Sequence, residues 1–363
     1  MVRLGAVCTK GTSNIAQKDL EGHGGNYPIY GASGFIANVD FYQQENPYIA
    51  VVKDGAGIGR IMKLPAKSSV IGTMQYIIPN DTVDISYLAY AMEHMNLSKY
   101  FTGATIPHIY FKDYQNEELP LPSLGEQRKI AAVLDNVSNL MAKRKQQIDK
   151  LDELVKSRFI EMFGDPEINP YGWDQVIVGD LCSSIVRGPF GSALKKEFFV
   201  APSDTTYKVY EQKHAIQKSA TIGTYYITAE KYNELRRFEC HSGDILMSCS
   251  GTMGEMFQLP PGCERGIINQ ALCKFTLNER ILPVVFLTYM HETIRNLETK
   301  GSGIQNIAAI SYVKAMPINL PPMDVQKQFA ASVTQTDKSK LVIQKSLEKL
   351  EILKKSLMQK YFG

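Results

Sequence analysis

The chain has 363 residues, 44% hydrophobic and 21% charged, and 40 Lys and Arg against 37 Asp and Glu leave a net charge of +3. Such a length accommodates two or three domains with ordinary cores, and the composition excludes a disordered polymer. A balance so near neutral leaves any nucleic-acid surface to local patches. The longest apolar stretch, "ILPVVFLTYM" (281–290), is too short for a bilayer span. The first residues lack the apolar centre of a secretion signal, so no membrane is expected and a cytoplasmic location is. Cys8, Cys182, Cys240, Cys249, Cys263 and Cys273 show no C-x-x-C spacing. They read as reduced, small apolar fillers.

In chain order, "VRLGAVC" (2–8) reads as a leading strand. "YIAVV" (48–52) and "QYIIP" (75–79) have strand composition. Between them, "VVKDGAGIGR" (51–60) places glycines at 55, 57 and 59. That is not the G-x-G-x-x-G of a dinucleotide loop, and a turn between strands is the better reading. "SYLAYAMEHMNLSKYF" (86–101) has helical spacing, with Met and aromatic residues suited to a core. "GATIPHI" (103–109) then leads to "LPLPSL" (119–124). Those prolines close a first body over 1–120 and open a long helix over 121–164.

The plan then repeats over a second body, 165–320, and a second long helix, 321–363. "VIVGDLC" (176–182) answers the first leading strand; "DILMS" (244–248) and "CKFTL" (273–277) are strands; "PVVFLTYMHETIRNLET" (283–299) is a helix. "SCSGTMG" (248–254) offers hydroxyls and backbone N–H groups. It suits either a tight turn or a contact with a phosphate or base edge. "GSGIQNI" (301–307) and "INLPPM" (318–323) close the body.

"KLDELVKSRFIEMFG" (150–164) returns 199 positions later as "KLEILKKSLMQKYFG" (349–363). The ungapped match begins at Leu121 and Leu320 and holds 12 identities in 44 positions, Gln127/Gln326 among them. Steps alternating four and three pick out Ile130, Leu134, Val137, Ile148, Leu151 and Val155, and then Phe329, Val333, Ile343, Leu347, Leu350 and Leu357. This is the seam of a coiled coil, interrupted by Arg144, Lys340 and Lys354. Each copy predicts one helix of about 37 residues, roughly 55 Å long. Each helix must bury its stripe, either on its own body or, as the doubled pattern favours, antiparallel against the other copy. The copies also hold the positive charge. Eight basic residues oppose six acidic ones over 121–164 and four over 321–363, while the bodies carry nine against eleven and 15 against 16. The expected fold is α+β, with two mixed α/β bodies joined by two long helices in an antiparallel coiled coil, a pseudo-twofold internal repeat. The bodies barely match in sequence, which predicts a shared architecture with different surfaces.

Several enzyme signatures are missing. There is no Gly-Lys dipeptide, hence no Walker loop. Asn46-Pro47-Tyr48 and Asn169-Pro170-Tyr171 lack the second proline of the N-P-P-Y element of amino-methyltransferases, and His291-Glu292 stops short of H-E-x-x-H. No convincing nuclease set is present, and the six histidines have no ligand spacing. The chain reads as a binder, not a catalyst.

"YPIYGASGFIANVDFY" (27–42), "RGPFGSALK" (187–195), "YKVYEQKHAI" (207–216), "GDILMSCSGTMGE" (243–255), "INQAL" (268–272) and "LPLPSLGEQRKIAAVLD" (119–135) together resemble the specificity subunit of type I restriction–modification systems. The likeness covers nearly the whole chain, departing where Val325-Gln326 replaces Glu-Gln and where the first body is short at its start. It implies two target recognition domains that read the halves of a split, asymmetric double-stranded DNA sequence, with the paired helices setting the gap. It also implies two methyltransferase subunits, which use S-adenosylmethionine, and restriction subunits driven by ATP and Mg. No cofactor is expected on this chain. A rod of this length spans about 16 base pairs.

Candidate DNA contacts near the glycine loops are Lys53, Arg60, Thr105 and His108 in the first body. In the second they are Arg187, Lys195, Lys196, Lys213, Ser250, Thr252, Gln270, Gln305 and Asn306. Each fits a solvated surface position equally well, and those near 103–109 and 301–307 also fit a joint between body and helix. The rival readings are a self-sufficient DNA-modifying enzyme and a coiled-coil scaffold.

Overall fold

The computed structural model describes residues 1–55, 57–103, 107–190, 193–299 and 309–363, with side chains left aside over 296–299. Of the candidate contacts, Thr105, Gln305 and Asn306 lie outside these residues. The chain divides into two compact units, Met1–Gln147 with Ile343–Gly363, and Ile148–Val342. Each unit therefore holds one body and a part of both long helices.

In the first unit the strands are β1 (Val2–Arg3), β2 (Cys8–Thr12), β3 (Tyr27–Gly31), β4 (Gly34–Val39), β5 (Tyr48–Val52), β6 (Ile61–Leu64), β7 (Ser69–Val70), β8 (Met74–Pro79) and β9 (Glu118–Leu119). The main sheet is antiparallel in the order β2-β8-β5-β6, and a smaller one runs β4-β3-β7 with β3 and β7 parallel. Strand β5 is buried along its whole length. A continuous apolar run suits this position, because both of its faces are covered. Ile49 and Val51 face the helix Ile85–Met95, while Tyr48, Ala50 and Val52 join a second cluster with Met74 and Tyr76.

The second unit contains β10 (Asp174–Ile177), β11 (Cys182–Arg187), β12 (Tyr207–Tyr210), β13 (Tyr226–Ile227), β14 (Glu239–Cys240), β15 (Ile245–Ser248), β16 (Met256–Gln258), β17 (Gly266–Ile268), β18 (Leu272–Leu277) and β19 (Pro317–Leu320). Its main sheet is β11-β18-β15-β16 and its smaller one β13-β12-β17-β14, with β12 and β17 parallel. Apart from β14, which has no counterpart, this is the first unit again. The β1–β9 pair corresponds to β10–β19, and a parallel pair, β3 with β7 or β12 with β17, recurs in each smaller sheet. The duplication thus extends through bodies whose sequences have diverged.

Two local expectations are corrected. The leading segment is not one strand, because Leu4–Val7 forms a helical turn that buries Leu4 and Val7. The helix expected over 86–101 ends at Met95, where Asn96 takes a left-handed conformation and a 3-10 turn follows over Leu97–Tyr100. Asn tolerates that geometry better than other residues with a Cβ. At the start of this helix the Asp84 carboxylate accepts from the N–H groups of Ser86 (2.9 Å) and Tyr87 (3.0 Å).

The long helices run Leu124–Phe163 and Met323–Phe362, 40 residues each, or about 60 Å. In the second unit they pair antiparallel. Lys340 Nζ bonds Asp152 Oδ1 (2.5 Å), and further along the ring of Phe329 lies 5.9 Å from Phe159 and 5.0 Å from Phe163. In the first unit Ala131 and Leu134 share a cluster with Met358 and Phe362. Every seam position named from the sequence is buried or half-buried. Beside the seam runs a second stripe, and through it Phe159, Phe163 and Phe362 enter the cores of the bodies. Pairing and docking on a body therefore coexist on each helix. The polar interruptions have partners too: Lys354 bonds Glu93 (2.8 Å) on the first body, over the ring of Tyr90.

The smaller sheet of the second unit holds a buried cation. Lys208 on β12 is 1% exposed, and its ammonium bonds the half-exposed Glu264 (2.7 Å). Burial works to raise the Glu264 carboxyl; the hydrogen bonds from Lys208 and Tyr226, with the Lys208 charge, outweigh it and hold the group below the usual range. A depressed carboxyl contributes stability above its unfolded pKa, and that contribution is lost as pH falls through the folded value. Glu264→Gln is expected to cost about 1–2 kcal/mol at pH 7, less than for a fully buried pair because water reaches the carboxylate. Its stability curve below about pH 4.3 is expected to be flatter than the parent's. Thermal unfolding between pH 7 and pH 3 reads both effects, and parallel curves would refute the assignment.

Candidate nucleic-acid interface

In the first unit the turn from β5 to β6 has φ of +79° at Gly55, +88° at Gly57 and +81° at Gly59. A side chain would be strained at each, and a Cβ on Gly59 would lie 2.6 Å from the Ser98 nitrogen. The turn is laced to the segment before the central helix: Gly55 N–H donates to Pro107 O (3.0 Å) and Ile109 N–H to Lys53 O (3.0 Å). That pairing brings His108 Nδ1 against the Asp54 carboxylate, which also lies 3.6 Å from Lys53 Nζ. One carboxylate thus orients a lysine and an imidazole, all three half-buried. Arg60 points elsewhere. Its guanidinium donates to Ala32 O (2.8 Å), at the turn between β3 and β4, where Phe35 is exposed.

The connection from β15 to β16 occupies the same place in the second topology. Gly251 and Gly254 have φ of +60° and +82°, and a Cβ on Gly254 would strike Ile294 at 2.7 Å. Ser248 Oγ donates to Thr252 O (2.6 Å) and accepts from Glu255 N–H (3.0 Å). The Gln212 amide brackets Ser250, donating to its carbonyl and accepting from its hydroxyl. At the end of β11, Arg187 donates to Gln270 O (3.4 Å) and Cys249 O (3.5 Å), with its guanidinium over the exposed ring of Phe190. Gly188 makes this approach possible, since a Cβ there would lie 1.9 Å from Asn269 O.

Arg187, Ser250 and Gln270 are therefore brought together, and Gln212 completes the group. Lys213 is ion-paired to Glu211 (2.7 Å) and lies over Tyr225. Lys195 pairs with Glu197 (3.6 Å), while Lys196 and Thr252 face solvent. Guanidinium, ammonium, amide and hydroxyl groups beside glycine turns suit phosphate oxygens and the acceptor edges of bases. Among the described residues no three His, Cys, Asp or Glu side chains converge to hold a metal ion. None of the described helices is long and apolar enough to cross a membrane.

The family model for the type I restriction modification DNA specificity domain matches residues 1–150 and 170–352. The chain belongs to this family. A type I restriction enzyme specificity subunit of Methanocaldococcus jannaschii, MjaVIII, is 23% identical to it over 343 residues, which cover 89% of this chain and 80% of that one. The MjaIX specificity subunit of the same organism is 33% identical over a shorter stretch of 125 residues, 29% of each chain. Among solved structures, the S subunit of a type I restriction-modification system from M. genitalium aligns over 100% of this chain and 95% of its own, with a TM-score of 0.60 at 14% identity. At that identity the likeness is one of fold.

Two buried residues that tie helix to body were visible in the sequence as repeat identities, but not as candidate contacts. Gln127 and Gln326 are both fully buried, and each makes three hydrogen bonds to backbone. The signal was their coincidence in the repeat; two of the three partners of each lie over 40 residues away and left no trace there.

Proposed function

We propose that this chain is the DNA specificity subunit of a type I restriction–modification complex, in which each body reads one half of a split, asymmetric duplex target. The observation that carries the reading is the repeated topology. The same main sheet occurs twice, each time with a glycine turn at the same connection, but with different side chains around it. That arrangement suits two readers of one design and two sequences. In this reading Lys53, Arg60 and His108 contact one half-site, and Arg187, Lys213, Ser250 and Gln270 the other, with Lys195, Lys196 and Thr252 on nearby backbone. The paired helices set the spacing. The subunit is non-catalytic. S-adenosylmethionine, ATP and Mg belong to two methyltransferase subunits and to restriction subunits.

Exposed apolar side chains on the helices support partner docking there. Leu140 and Ile352 in the first unit, and Leu154 and Val342 in the second, are 46–70% exposed, an arrangement that favours burial by another protein. The test is to produce the chain with its methyltransferase and map methylated DNA with and without it. A split motif that disappears with this chain is the expected result. An unchanged methylation pattern, with no footprint from the complex, would refute the reading.

A further inference from the structure

The start of each long helix is tied to its body by the same buried amide. Gln127 Oε1 accepts from Asp84 N–H (2.8 Å), and its Nε2 donates to Thr82 O (3.1 Å) and Pro122 O (2.9 Å). Gln326 Oε1 accepts from Leu282 N–H (2.9 Å), and its Nε2 donates to Arg280 O (3.0 Å) and Pro321 O (2.9 Å). Besides the proline before the long helix, the bonded segment is in both cases the turn from the last strand of the main sheet, β8 or β18, into the body's helix. A second amide holds that turn from its other side. Asn80 donates to Ala6 O (3.0 Å) and Asn278 to Asp180 O (2.8 Å), and their side-chain oxygens accept from Thr82 N–H and Arg280 N–H.

We infer that Gln127 and Gln326 are positioning residues that fix the seat of each body on its helix, and so hold the spacing of the two half-sites to one value. The inference rests on the specificity-subunit reading and deepens it. Apolar packing alone is weakly directional, whereas two hydrogen bonds from one buried amide into the body's turn, with a third to the proline at the head of its own helix, specify position and angle. All six bonds reach backbone atoms, so the side chains of a body can diverge without disturbing its seat. Asp84 and Thr82 are replaced by Leu282 and Arg280, yet the geometry is the same. A glutamine kept only for stability has no need of the same three partners in two bodies with different surfaces.

The test uses the full chain in complex with its methyltransferase, and duplexes carrying the methylated half-sites at the native spacing and at one and two base pairs more or less. For Gln127→Met and for Gln326→Met, discrimination between native and neighbouring spacings is expected to fall about tenfold, with base preference within each half-site kept. Asn80→Ala frees the same turn from an exposed side chain, removing the bonds to Ala6 O and Thr82 N–H. It is expected to fall between parent and Gln127→Met, and it decides the matter if the Met variant does not fold. Variants with the parent's spacing profile, whether their affinity drops evenly or not at all, would overturn the inference. A parent complex indifferent to spacing would instead overturn the specificity-subunit reading.

Discussion

Phe329→Ala is expected to destabilise the second unit by about 3–5 kcal/mol, the usual cost of removing a fully buried phenylalanine. Phe329 has no exposed surface and meets Phe163 and Phe159 edge-on, and Phe159 in turn meets Tyr289 at 5.7 Å. Four rings from the two long helices and the body helix thus form one cluster, with Tyr289 also accepting from Asn319 N–H (3.0 Å). Loss of one ring leaves a cavity that 40-residue helices, held elsewhere along their length, are poorly able to collapse. Ile130, the repeat counterpart of Phe329, is only half-buried, and Ile130→Ala is expected to cost about 1–2 kcal/mol. Thermal or urea unfolding of the two variants makes the comparison. Equal and small effects would refute the helix pairing described for the second unit.

Three heptads inserted in both helices, after Gln147 and after Val342, are expected to change the DNA target and not merely weaken binding. Twenty-one residues add about 32 Å of helix and keep the seam in phase. That length corresponds to about nine base pairs, close to a full turn of the duplex, so both distance and facing are nearly restored. The complex is expected to methylate the same half-sites about nine base pairs further apart, and to lose at least about a hundredfold on the parent target. One heptad adds about three base pairs but turns the far half-site by roughly a third of a turn, so it should serve neither target. Unchanged spacing in the three-heptad complex would end the idea that the helices set the gap.

Much of the architecture is legible before any coordinates. A 3.5-residue apolar period, freedom from Pro and Gly, and Pro120, Pro122, Pro321 and Pro322 at the boundaries are local signals, and they mark both long helices closely. Strands β5, β8, β15 and β18 and the helix Pro283–Thr299 are legible for the same reason, as continuous or periodic apolar runs. The leading segment is misread because Leu4–Val7 turns to bury Leu4 and Val7, and the end of the Ile85–Met95 helix because the left-handed stop at Asn96 lies inside an otherwise helically spaced run. The matching sheet orders of the two bodies are hidden, since strand pairing joins residues such as Thr12 and Gln75 that are far apart in the chain. The joining of Lys53 to His108 through Asp54, the approach of Arg187 to Gln270, and the work of Gln127 and Gln326 are hidden likewise. Period and turn chemistry are written in neighbouring residues, whereas burial and the partners of a buried polar group exist only once distant segments have come together.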